Sequence, residues 1–210
     1  MRLPTVVEVK AMLDTASDDF ATMIALAAFA GLRLGEINGL QLGDIDWLGR
    51  TLDITRQVQR EAAGAIEVRA PKYNSERTVY APDELLTMLS GHVARNGITE
   101  PMAWLFPGHD GSPASRQTIS ARWRKTLETA SVSGLTMHDC RHFYASGLIA
   151  QGCDVVTVQR ALGHASAAFT LRVYSHLWPT AEDRTRKAAG ALFSAVLDSA
   201  ADSPRTSWEA

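Results

Sequence analysis

Only two cysteines, Cys140 and Cys153, occur in 210 residues. That excludes a disulfide scaffold and makes a reducing interior the expected compartment. No run approaches the roughly eighteen apolar residues that a membrane-spanning helix needs. The opening MRLPTVVEVKAML has Glu8, then Asp14, and no signal-peptide layout, so a cytoplasmic protein is expected. Internal repeats and low-complexity tracts are missing, and so is any large excess of one charge. A net charge of −2 with 46% hydrophobic residues excludes disorder for most of the chain. The same near-neutral balance, taken alone, argues against a nucleic-acid binder, whose domains usually run basic. What remains is one globular domain, or at most two small ones, long enough to bury a core without a metal.

The net value conceals a pattern. Residues 1–49 carry −4, 50–80 carry +2, 81–115 carry −3, 116–178 carry +4 and 179–210 carry −1. Folding could bring the two basic stretches onto one face. The acidic stretches are then expected to form outer faces and protomer contacts.

Thr5 and Glu8 have capping-box spacing, and Val6, Val9 and Leu13 follow helical steps. FATMIALAAFA reads as a second helix stopped by Gly31, and LRLGEINGL as a short third. DIDW, TLDITRQV, AIEVRA and ERTVYA are short and β-branched, predicting one small antiparallel sheet over about 45–80. Helical periodicity returns at Pro82, with Leu85, Leu86 and Leu89 as a buried stripe. WLFPGHDGSP reads as a loop with a short extended piece. Helices follow at about 115–130, 136–151, 154–162, 166–176 and 181–198, with Ser115, Thr136, Asp154 and Ser166 as N-caps and Gly152 and Gly163 as stops. Ala189, Leu192, Phe193 and Val196 share a face of the last helix. The polar tail, residues 199–210, is expected to be disordered. The fold class is mainly α with a small antiparallel β-sheet, α+β.

Several polar residues sit where chemistry could use them. Arg33 and Glu36 are three apart on a helix, the spacing of an ion pair that at a surface is worth little. His138 and Arg141 are again three apart at a helix start, where unpaired N–H groups favour anions. His138 and His142 also have the spacing of two zinc ligands. That motif needs Glu after the first His, where this chain has Asp139, and no further ligand stands at a recognisable spacing. His164 follows a glycine at a helix end, Tyr174 lies on an apolar helix, and Lys72 sits in a turn between strands. Each alone fits packing or a solvated surface. As a set they suit attack on a phosphodiester: arginines to clamp oxygens, a tyrosine nucleophile, and a lysine or histidine to move protons.

GLRLGE around Arg33, PKYNSERTV around Lys72, HDCRH at 138–142, LGHAS around His164 and VYSH around Tyr174 occur in that order. With them the sequence resembles the catalytic domain of the tyrosine recombinases, the phage-integrase family of DNA-breaking-rejoining enzymes, over about residues 31–176. The resemblance implies that Tyr174 attacks the scissile phosphate, giving a 3′-phosphotyrosyl intermediate and a free 5′-hydroxyl. Arg33 and Arg141 would hold the phosphate, and His164 would contact a non-bridging oxygen. Lys72 would protonate the leaving oxygen, His138 would assist proton transfer, and Glu36 would orient its neighbours. The implied activity is site-specific DNA recombination of integration or excision type, with no cofactor, metal or ATP, in a bacterial cell or encoded by a phage. The implied partners are double-stranded DNA and other protomers of a tetrameric synapse, with no membrane.

Cys140 stands where the family often has Leu, and Phe143 where Thr is frequent; both read as packing changes. The expected organisation is a catalytic domain at 1–178 and a docking helix at 179–198, without the N-terminal core-binding domain that closes a clamp on the duplex. Weak, salt-sensitive DNA binding follows from that expectation. A type IB topoisomerase uses a similar residue set, and a DNA-binding relative without chemistry would keep the fold alone.

Overall fold

Thirteen residues, Asp18–Ala30, form helix α2, and from Phe20 to Ala28 every one is buried. A helix that is apolar all round belongs at the centre of its domain. The computed structural model describes residues 2–60, 66–71 and 75–201. It divides into two compact units, 1–173 and 174–210.

In the first unit α2 packs against α1 (Val6–Thr15), α3 (Leu34–Asn38), α4 (Asp83–Arg95) and α6 (Met137–Ala150). The capping box of α1 is formed: Thr5 N–H donates to Glu8 Oε2 at 2.9 Å and Glu8 N–H to Thr5 Oγ1 at 3.2 Å. Its buried positions are Val9 and Met12; Val6, expected on that stripe, is 73% exposed because it sits in the first turn, ahead of the contact with α2. In α4 the stripe is Leu85, Leu86 and Leu89, as the spacing predicts, and it continues into a buried His92. His92 Nε2 lies 2.6 Å from the Leu105 carbonyl, tying α4 to the following loop. Helix α5 (Arg116–Thr129) is mostly polar and buries Ile119, Trp123 and Thr126, and Trp123 donates its indole N–H to the Leu135 carbonyl at 3.0 Å.

Among the described residues the expected single sheet is two. β1 (Ile45–Asp46), β2 (Thr51–Ile54) and β5 (Arg77–Tyr80) form an antiparallel sheet in the order β1-β2-β5, while β3 (Gln57–Arg60) pairs antiparallel with β4 (Ile66–Arg69) separately. TLDITRQV therefore breaks at Thr55–Arg56. There Arg56 pairs with Asp44 and reaches the Gly39 carbonyl, and the backbone passes so close to α3 that a Cβ on Gly39 would lie 3.1 Å from the Arg56 carbonyl.

Helix α6 starts at a capping box between Thr136 and Asp139. Helix α7 (Val155–Leu162) starts at Asp154, whose carboxylate accepts the N–H groups of Val156 and Thr157. Helices α2 and α7 both stop on a left-handed glycine, Gly31 at φ +66° and Gly163 at φ +58°, a conformation that costs a residue with a Cβ. Helix α8 runs Ala167–Tyr174, with Ser166 Oγ accepting the Phe169 N–H at 3.2 Å. Cys140 is fully buried, and burial pushes its thiol up to about 12. Phe143 meets Phe29 edge to face with ring centroids 6.2 Å apart, so both departures from the family pattern are packing features.

In the second unit a 3₁₀ turn at Ser175–Leu177 precedes α9 (Ala181–Ala201). That helix continues past residue 198 to Ala201, and 202–210, the rest of the stretch where a disordered tail is expected, lie outside the described residues. On α9, Leu192, Phe193, Val196 and Leu197 are all more than half exposed. The acidic segment 1–49 does not form an outer face: it contains the central α2 and the buried Glu36, because burial follows the apolar pattern of a helix and not the average charge of its segment. No helix among the described residues is long and apolar enough to cross a membrane.

Candidate active site

Glu36 is the centre of the arrangement. Its side chain has no exposed surface, and cations surround it. Arg33 N–H donates to Oε2 at 2.8 Å and Arg33 Nη1 to Oε1 at 2.7 Å. Arg77 adds a fork, Nη1 to Oε1 and Nη2 to Oε2, each at 3.0 Å. Arg141 Nη1 stands 4.0 Å away. Burial pushes the Glu36 carboxyl up, but hydrogen bonds and charge from Arg77, with the charge of Arg33, overcome it and hold the group at about 2. The pair that spacing alone would place on the surface is thus a buried counter-ion network.

Arg141 is itself buried. Its two terminal nitrogens donate to the carbonyls of Gly31 and Leu162, at the C-terminal ends of α2 and α7, where helix dipoles favour a cation. Arg33 Nη2 reaches the Gly163 carbonyl at 3.3 Å and Nη1 reaches Ser75 Oγ at 3.3 Å. Arg33, His138, Arg141 and His164 line one open pocket of about 420 Å³ together with Arg172. A carboxylate at this depth keeps the arginines oriented while leaving the pocket's charge positive, an arrangement fitted to an anion with several oxygens.

Burial lowers the proton affinity of the three histidines His138, His142 and His164. Burial, and then Arg141 and Arg33, lower His138. Burial lowers His142 to about 4, with His138 and Arg141 adding to it. Burial and the charges of Arg141, Arg33 and Arg77 take His164 down to about 3. His138 and His142 meet edge to face at 4.7 Å, and Asp139 is held in the α6 capping box. Among the described residues no three His, Cys, Asp or Glu side chains gather as a metal site.

Four of the six expected catalytic residues, with Glu36, therefore come together in the first unit. Lys72 lies outside the described residues. Tyr174 is the last residue of α8 and the first of the second unit. Two neighbours went unnoticed in the sequence. Arg77 shares the inward face of β5 with the buried Val79, and an arginine at an inward strand position is the signal that could have found it. Thr170, fully buried in α8, lies 3.0 Å from His164 Nδ1, and nothing in the local pattern marks it.

A fold of this kind around an arginine-rich pocket defines a class. The pattern of the phage integrase family matches residues 5–180, and the chain belongs to that family. It is 28% identical over 191 residues to a tyrosine recombinase XerC-like protein of Caldanaerobacter subterraneus, covering 81% of this chain and 49% of that one. It is 27% identical over 196 residues to a putative prophage phiRv2 integrase of Mycobacterium tuberculosis, covering 91% and 51%. The chain thus spans about half the length of the curated relatives it matches. Among solved structures, the Tn1549 transposon integrase in complex with transposon right end DNA superposes with a TM-score of 0.75 at 19% identity, over 91% of this chain and 66% of that one. The catalytic domain of bacteriophage HP1 integrase superposes at 0.60 and 16% identity, over 89% and 94%. The fold is that of integrase catalytic domains.

Proposed function

We propose that the chain carries the catalytic domain of a site-specific DNA recombinase, spanning residues 1–178, that cuts and rejoins duplex DNA through a 3′-phosphotyrosyl bond. The observation that supports it is the pocket where Arg33, Arg141, His138 and His164 meet over the buried Glu36. Three arginines around one carboxylate leave a positive excess, and a phosphodiester gains negative charge as it becomes five-coordinate. In this reading the Tyr174 oxygen forms a bond to phosphorus as the bond to the 5′-oxygen breaks. The phenol proton leaves with help from His138, and Lys72 protonates the departing oxygen. Neutral His164 donates a hydrogen bond to a non-bridging oxygen. The new ester keeps the energy of the old one, so neither ATP nor a metal enters, and a second 5′-hydroxyl reverses the attack. The setting is the cytoplasm, the partner is double-stranded DNA, and the exposed apolar face of α9 docks on a neighbouring protomer of a tetramer.

The test is a nicked DNA duplex that loses its short 5′-hydroxyl strand after cleavage. The native chain is expected to form an SDS-stable adduct, in EDTA and without ATP, and Tyr174→Phe none. An adduct that persists in Tyr174→Phe moves the nucleophile elsewhere, and relaxation of supercoils without joining of two sites favours a topoisomerase.

A further inference from the structure

Four helical threonines in this chain share one arrangement. Thr15, Thr22, Thr87 and Thr129 each donate their hydroxyl proton to the carbonyl four residues back, at 2.8 to 2.9 Å. Thr170 makes no such bond among the described residues. Its hydroxyl lies 3.0 Å from His164 Nδ1, in a position with no exposed surface. The His164 ring is held on a second side by Phe169, edge to face at 4.8 Å. Its backbone is fixed as well: His164 N–H donates to the Gln159 carbonyl at 3.0 Å, and the Gln159 amide donates back to the His164 carbonyl.

A neutral imidazole has one N–H and one lone pair, and the hydrogen bond made by one nitrogen decides what the other presents. With burial and Arg141, Arg33 and Arg77 holding His164 at about 3, the neutral ring is the form at working pH. A hydroxyl that is not engaged with its own helix is free to donate into Nδ1, which leaves the proton on Nε2. The opposite tautomer would turn a lone pair toward an anionic oxygen, which it would repel.

We infer that Thr170 is a positioning residue: by donating to His164 Nδ1 it selects the Nε2–H tautomer, so that a neutral histidine can donate to the non-bridging oxygen of a bound phosphodiester. The phosphodiester half of this statement rests on the function proposed above; the tautomer does not.

The experiment has two arms. In the first, the full chain is labelled with ¹⁵N and long-range ¹H–¹⁵N correlations of the imidazoles are recorded without DNA, with His164 assigned by His164→Gln. Native protein and Thr170→Ser are expected to show Nε2 protonated and Nδ1 bare, and Thr170→Val to show a mixture or the reversed form. A protonated Nδ1 in the native chain overturns the inference, and so does an unchanged tautomer in Thr170→Val. If the valine variant does not fold, the native and serine spectra still decide. In the second arm, adduct formation on the nicked duplex is timed. Thr170→Val is expected to slow it roughly 10- to 100-fold, by analogy with the loss when the partner that orients a metal-ligating histidine is removed, with DNA affinity unchanged and with serine restoring the rate. A native rate in Thr170→Val removes any part for Thr170 in the chemistry. No adduct from the native chain counts against the proposed function, while the tautomer result stands on its own.

Discussion

Arg77 meets Glu36 as a two-pronged fork, each terminal nitrogen 3.0 Å from its own carboxylate oxygen, and its Nε donates to the Ala161 carbonyl at 3.1 Å. Strand β5, helix α3 and the end of α7 are thereby joined through a single guanidinium, which grips α7 at a carbonyl three residues before His164. Lysine, a point charge without the planar fork, would not reproduce this.

Replacing Glu36 with Gln leaves Arg33, Arg77 and Arg141 without their shared counter-ion. Removing one partner of a buried ion network costs about 3–5 kcal/mol, a large share of a domain's stability. Urea denaturation is expected to show that loss. Because the folded carboxyl sits at about 2 and the ordinary value is 4.5, its stabilisation is complete above pH 4.5 and disappears as pH falls toward 2. Glu36→Gln should lack that part of the acid dependence. An acid limb identical to native would contradict the assignment.

The histidines act earlier on acidification. Unfolded, each binds a proton near pH 6.5; folded, His142 does so at about 4 and His164 at about 3. The unfolded chain thus holds more protons across this window, so stability falls as pH drops below 6.5. Thermal midpoints should decline between pH 6.5 and 4.5, ahead of the Glu36 limb, and His142→Gln should make that decline shallower. A flat profile down to pH 4.5 would show these rings to be solvated.

Gly163 stands at φ +58°, and a Cβ there would lie 2.9 Å from Arg77 Cδ and Nη1 and 3.1 Å from Ser75 Cβ. Gly163→Ala should therefore cost about 1–3 kcal/mol from strain and overpacking, and should also slow cleavage by displacing Arg77. Full stability with full activity would mean that the loop after α7 adapts freely.

Leu192 and Phe193 on α9 are 71% and 67% exposed. Changing both to Gln should leave the thermal midpoint near native, since exposed positions usually move stability by about 0.5 kcal/mol or less. Association of protomers on DNA, followed by sedimentation, should weaken. A large drop in stability with association intact would assign the stripe to the chain's own packing.

Much of the local structure was legible. The caps at Thr5, Ser115, Thr136 and Asp154 and the glycine stops at Gly31 and Gly163 depend on neighbours within a few residues, and the structure realises them. The break in TLDITRQV was not legible, since it arises where Arg56 crosses α3 to reach Asp44. The near-neutral net charge hid the basic pocket because it averages Arg33, Arg141 and Arg172 with acidic positions elsewhere.

By itself the sequence determined the helices, most of their capped ends, and the order in which arginine, histidine and tyrosine arrive along the chain, because these follow from short-range periodicity and residue type. Tertiary structure decided what those residues become. Arg33 and Glu36 have the spacing of a surface pair, and only the packing of α3 against α2 and β3, with Arg77 of β5 reaching in, removes water from the carboxylate. Once the low-dielectric interior surrounds the carboxylate, Arg77 must join it, and three segments distant in sequence share one charge.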